Sequence, residues 1–283
     1  MSLYNSTEFP TEFFVTTKTR RLFYILVMLS SMDSTALFEK LVEAYNVTKG
    51  FDGFSLDSLD FFDNYPAQFA DSPDWWSTQK GAYERSLKPE FFDLIRSVSD
   101  VVQQFDDGLE KDVSKCIGQT HDASTRPIPY RWAALHTEGA DKRIDVQFFI
   151  NLTSIGLRVG IYSGQHGVDK NAWNARQTRI HAKKNEIFDE YAHLKKLGFE
   201  MLHTTKLDFA SGSSGTKYEP SDSEELYQNV ASLRQISFIK TLDSRDMNAD
   251  ELMHEILKAF ADTRKMYQML QSSKYNAYKR DLV

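Results

Sequence analysis

The stretch IDVQFFINLTSIGLRVGIYS, residues 144–163, decides the fold. Ile144, Val146, Phe148, Ile150 and Leu152 recur at every second position, and after a turn at Thr153–Gly156 so do Leu157, Val159 and Ile161. Strand side chains point alternately to opposite faces, so this spacing predicts two antiparallel strands sharing one apolar face. Tyr130 to His136 reads as a preceding strand, which extends the pair to a meander. One face of that meander is free to receive a helix.

Upstream the period changes to that of helices. Asp33 or Ser34 can cap a helix carrying Leu37, Leu41 and Tyr45 at steps of four. Leu56, Leu59, Phe61 and Phe62 suggest a short second helix. Ser72-Pro73, a cap followed by a first-turn proline, opens a third through Trp75, Trp76 and Tyr83. Pro89 then starts a long one, whose stripe Phe91, Ile95, Val98, Val102, Phe105, Leu109, Val113 and Cys116 steps by four and three. Cys116 on that stripe reads as a small buried hydrophobe.

Downstream, Trp173, Ile180, Ile187 and Leu194 are spaced seven apart, and Gly198 supplies a helix stop. Strands follow near Met201–Lys206 and Leu233–Leu242, with a capping box at Ser221 and Glu224 between them. Asn248 and Glu251 open the last helix, through Leu252, Ile256 and Phe260. The fold class is α+β: an N-terminal helical block whose long amphipathic helix packs on a mainly antiparallel sheet, with further helices interleaved with later strands. Residues 32–273 read as one domain, residues 1–31 as a partly disordered N-terminal extension and residues 274–283 as a tail.

Composition limits the chemistry. Of 283 residues, 41% are hydrophobic, 13% aromatic and 26% charged, a globular mixture. The single cysteine excludes an intramolecular disulfide framework and fits a reducing, cytoplasmic setting. Leu22–Leu29 is apolar and follows Lys18, Arg20 and Arg21, the outline of a secretion signal. It lacks a small-x-small cleavage site, however, and is far shorter than the roughly 20 residues of a membrane span, so no membrane is expected.

The net charge of −6 is unevenly spread. Residues 113–206 carry fourteen basic and nine acidic groups, whereas residues 32–112 carry seven and seventeen. The middle segment is therefore where an anionic partner would be met. Arg126, Tyr130, Arg131, Arg158, Arg176, Arg179 and Lys183 are its candidate ligand-binding residues, because guanidinium groups interleaved with aromatics suit phosphates and stacked bases. They predict a non-catalytic binding module for an anionic ligand, nucleic acid included. A solvated face balancing the acidic first segment is the competing explanation.

Two other function classes compete with that one. Asp141, Asp145 and His166 near the sheet's end would serve a metal-dependent hydrolase, although no motif assigns acid, base and nucleophile among them. The run Phe61, Phe62, Tyr65, Phe69, Trp75, Trp76 would serve a protein partner if it formed an exposed patch. No phosphate-binding glycine loop, nucleophile elbow or His-Glu-x-x-His is present, and no cofactor or metal is expected. Asp189 and His193, four apart, are two ligands at most.

Phe51-x-Gly53-Phe54, the short helix from Leu56 to Phe62, Trp75-Trp76-x-x-x-Lys80-x-x-Tyr83 and Pro89 resemble the opening of an uncharacterised family, domain-of-unknown-function family 2461. The later order is similar too, down to Leu233-Arg234-x-Ile236-Ser237-Phe238 before a final amphipathic helix. The resemblance spans roughly residues 50–272 and implies the fold, without an activity to carry over. Family members usually carry an arginine- and lysine-dense run ending Pro-Tyr-Lys. Here Gln119–Ile128 stands in its place, ending Pro129-Tyr130-Arg131, and the dense basic core is largely absent.

Overall fold

The meander forms as read, in a computed structural model that describes residues 32–63, 65, 74–121, 127–139, 146–164, 177–178, 180–203, 216–232 and 235–270. Strands β1 (Arg131–Leu135), β2 (Val146–Thr153) and β3 (Gly156–Gly164) pair antiparallel, with Ala133 opposite Ile150 and Ile150 opposite Val159. Strands β4 (Glu200–His203), β5 (Thr216–Lys217) and β6 (Gln235–Leu242) complete a six-stranded antiparallel sheet in the order β1-β2-β3-β6-β4-β5. Close strand approach demands glycine at Gly160. Its φ is +149°, and a Cβ there would stand 2.1 Å from the Phe238 carbonyl oxygen.

The helices follow local signals. Helix α1 (Ser34–Thr48) is capped by Asp33, whose Oδ1 accepts the Ala36 N–H at 2.8 Å, and it buries Leu37, Leu41 and Tyr45. Helix α2 (Leu56–Leu59) is one turn, capped by Ser55. Helix α3 (Trp75–Ala82) passes into a π-helical turn (Tyr83–Leu87) and then into α4 (Lys88–Val102), with Pro89 in its first turn.

The long helix expected to reach Cys116 ends at Val102. Gln103 to Gly108 contains Asp106-Asp107-Gly108, and Asp106 Oδ1 accepts the Gly108 N–H at 3.3 Å in a local turn that competes with helix. Leu109 instead bridges to Thr137, and Cys116 lies in a separate turn, α5 (Val113–Cys116), capped by Asp112. Both remain buried, so the stripe recorded burial across two elements.

Helix α6 (Lys184–Lys196) buries Ile187 and Leu194 and stops at Gly198, φ +87°. The cap of α7 (Ser223–Ser232) is displaced by one residue from the expected box. Asp222 accepts the Glu224 and Glu225 N–H groups, and the Glu225 carboxylate reaches back to the Ser221 N–H. Helix α8 (Ala249–Leu270) opens on the reciprocal Asn248–Glu251 box, both bonds 3.0 Å long. It lies across the apolar sheet face, where Phe148 stacks on Tyr267 at 4.4 Å and meets Phe260 at 4.8 Å.

Helices α1 and α8 are also joined by a polar link. The Tyr45 hydroxyl donates to Asp250 Oδ1 at 3.0 Å, and Lys49 donates to Oδ2 at 3.2 Å. Burial, then Asp250, pushes the Tyr45 phenol up to about 12. The folded state thus favours the neutral phenol. That stability is complete below the unfolded value near 10 and is lost as pH rises through about 12. Tyr45→Phe should therefore flatten the decline of urea-unfolding stability between those two pH values; an unchanged decline would contradict the link.

Among the described residues no helix is long and apolar enough to cross a membrane. Leu22–Leu29, the residue 1–31 extension, the 274–283 tail, Ser72-Pro73 and Trp173 lie outside the described residues.

Candidate functional site

Helix α3 sets two adjacent tryptophans in different surroundings. Trp75 turns into the core, 5.6 Å from Phe61 and 5.0 Å from Tyr65, while Trp76 stays half-buried. One helical turn beyond Trp76 comes Lys80, then Tyr83, on the same side. At Tyr83 the helix widens, and the Lys88 N–H donates to the Tyr83 carbonyl five residues back. That π step brings Lys88 under Tyr83, a device frequent at functional sites.

The opposite wall is the segment after α5. Gly118 donates its N–H to the Trp132 carbonyl at 2.9 Å, which sets Gln119, Thr120 and His121 across from the helix. His121 meets Trp76 edge-on at 4.8 Å, and its Nδ1 lies 2.8 Å from the Thr120 hydroxyl. Arg131 closes the floor. It shares its strand face with Ala133 and Leu135, opposite Leu152, so its side chain enters the helix-covered side of the sheet. Together these groups line a cleft of about 390 Å³ that is open to solvent.

The cleft is electropositive. Arg131 is only 8% exposed, donates from Nη1 to the Gly118 carbonyl, and faces the rings of Tyr83 at 5.8 Å and Phe91 at 5.9 Å. Its Nε is buried without a hydrogen-bond partner, and no carboxylate of the described residues pairs with it. Burial pushes its pKa down, against a smaller opposing effect of Tyr83, yet an arginine stays charged at any ordinary pH. Burial also raises the Tyr83 phenol, with Arg131 and Lys88 pulling the other way. At the rim Lys88 pairs with Glu84 at 2.6 Å, both exposed. Lys80 has no ion pair with the described residues, which leaves Lys80, Lys88 and Arg131 facing one carboxylate.

Of the described residues named from sequence as ligand-binding, Arg131 alone lines this cleft, with Tyr130 half-buried just before it. Arg158 sits opposite Asn151 on the other face of the sheet, where burial lowers its pKa against the pull of Glu200. Lys183 precedes α6 and reaches Glu186 at 3.9 Å. Arg126, Arg176 and Arg179 lie outside the described residues, as do Asp141, Asp145 and His166. Sequence reasoning missed His121 on one wall of the cleft and, on the other, Trp76, Lys80 and Tyr83. The spacing of four and three in Trp-x-x-x-Lys-x-x-Tyr was the signal that they share a helix face.

Among the described residues no three His, Cys, Asp or Glu side chains gather in a metal-binding group. Cys116 is fully buried, as the reading of it as a hydrophobe implied. Of the aromatic run named for a protein partner, Phe61, Phe62 and Trp75 are buried, Tyr65 and Trp76 are half-buried, and Phe69 lies outside the described residues; the exposed large apolar residues among the described ones, Val47, Leu56 and Ile155, belong to separate elements. No curated protein matches the chain. The model of a conserved hypothetical protein family, DUF2461, matches residues 57–269, three-quarters of the length and every described cleft residue, and the chain belongs to that family.

Proposed function

We propose that this chain is a non-catalytic binding module for a small anionic ligand, held in the cleft between the π-helical turn and β1. One observation carries the reading: a guanidinium nine-tenths buried, with an unpartnered Nε and no ion pair to a carboxylate among the described residues. A buried charge without a counter-charge costs several kcal/mol of desolvation, roughly, unless something of opposite sign arrives. Here the missing partner is the ligand's anionic group. Arg131 supplies the planar donor fork, Lys80 and Lys88 add mobile ammonium groups at the rim, and Thr120 and Gln119 offer neutral hydrogen bonds.

The shape favours a small ligand over a nucleic-acid strand. Arg158 and Arg131 are on opposite sheet faces, so among the described residues no continuous basic track joins them, and the overall charge of −6 opposes long polyanions. The lone buried cysteine supports a reducing compartment, and we place the module in the cytoplasm.

Calorimetric titration of the full chain with inorganic phosphate and with ribose 5-phosphate, at low ionic strength, tests the reading. Binding should weaken at least tenfold in Lys80→Gln, an exposed site where folding is safe, and further in Arg131→Gln. Lys40→Gln, on the far helix α1, should leave it unchanged. No heat from either anion, or equal loss in Lys40→Gln, would overturn the proposal.

A further inference from the structure

Resting on that anion-site reading, we infer that the ligand is a phosphorylated planar ring, by chemical class a nucleoside monophosphate. The phosphate meets Arg131 and Lys80, and the ring lies against Trp76. Three features of the cleft lead there. The first is Trp76 itself. Trp75 contributes its ring to the core, whereas the next residue keeps a half-exposed indole on the wall of a cleft lined by cations. Tyr83 at 5.2 Å and His121, edge-on at 4.8 Å, pack against that indole and restrain its orientation before a ligand arrives. A pre-set indole is a stacking platform for any planar ring.

The second feature is size. About 390 Å³ lies within the range of small-molecule sites, and an inorganic anion would occupy only a corner of it. The third is Glu84. Its carboxylate sits on the rim beside Lys88, 2.6 Å away, where it would repel a second phosphate but accept a hydrogen bond from a sugar hydroxyl or ring amine. A polyphosphate or a nucleic-acid strand would bring charge to that carboxylate. A single phosphate on a ring-bearing sugar would not.

The test is a calorimetric series on the full chain with inorganic phosphate, ribose 5-phosphate, adenosine monophosphate and a ten-residue oligothymidylate. Adenosine monophosphate should bind at least tenfold tighter than ribose 5-phosphate. Trp76→Leu should erase that difference while keeping the affinity for ribose 5-phosphate, and Trp76→Phe should restore part of it. Far-ultraviolet circular dichroism establishes that both variants fold. Equal affinities for the two organic phosphates would overturn the ring inference and leave the anion site standing. Silence from all four ligands would remove both. Tighter binding of the oligonucleotide than of the monophosphate would overturn the inference in favour of nucleic acid.

Discussion

Replacing Phe148 with alanine should lower the unfolding free energy by about 3–5 kcal/mol, among the largest losses any single truncation can cause here. Phe148 is buried on the inner face of β2 between two rings of α8, Tyr267 at 4.4 Å and Phe260 at 4.8 Å. Its removal would open a cavity walled by a strand and a helix, neither of which can collapse without breaking other contacts. The neighbouring Phe149 is the control. It points to the opposite face, half-buried beside Trp132 at 6.4 Å and Tyr162 at 5.8 Å, and Phe149→Ala should cost less than about half as much. Urea titrations at constant slope measure both. Equal losses would mean that the face away from α8 is as much a core as the face beneath it.

That contrast is also the part of the fold most legible in the sequence. Period-two alternation from Ile144 to Ile161 dictates which residues share a face, because a strand has no other way to segregate them. Caps were equally readable, since Asp33 and the Asn248–Glu251 pair act through neighbours three residues away. The end of α4 was not readable from hydrophobic spacing. Leu109 and Cys116 are buried by packing against the sheet edge, and burial keeps the spacing apolar whether or not the helix continues.

The cleft was half legible. Arg131 stands where the alternation of β1 asks for an apolar residue, in phase with Ala133 and Leu135, and a charge in that phase marks a buried guanidinium. The structure sets it on the opposite sheet face from Arg158, because residues on neighbouring strands share a side only when register and parity agree. Register here comes from the turn at Thr153–Gly156 and from β6, not from the strands alone. The helical wall was hidden differently. Trp76, Lys80 and Tyr83 look like ordinary surface and core residues until the π step brings Lys88 alongside them.

Gly118 joins fold and cleft, and Gly118→Ala should damage both. A Cβ at this position would stand 2.0 Å from Trp132 Cε2 and 2.2 Å from its Nε1, far inside van der Waals contact. The glycine backbone cannot retreat freely, because its N–H is bonded to the Trp132 carbonyl and its own carbonyl accepts from Arg131. Either the indole swings out or segment 117–119 shifts. Overpacking of this kind costs about 1–3 kcal/mol. The second route also moves the acceptor that orients Arg131, so phosphate affinity should fall with stability. Truncating the indole separates the two causes. In a Trp132→Ala background the methyl group has room, and Gly118→Ala should then cost less than about 0.5 kcal/mol, a coupling that a double-mutant cycle reads directly. Phosphate binding should recover in the double variant relative to Gly118→Ala alone, because the backbone carbonyl returns to its place under Arg131. If Gly118→Ala is equally costly with and without the indole, the clash is not the cause, and the glycine acts through its backbone alone.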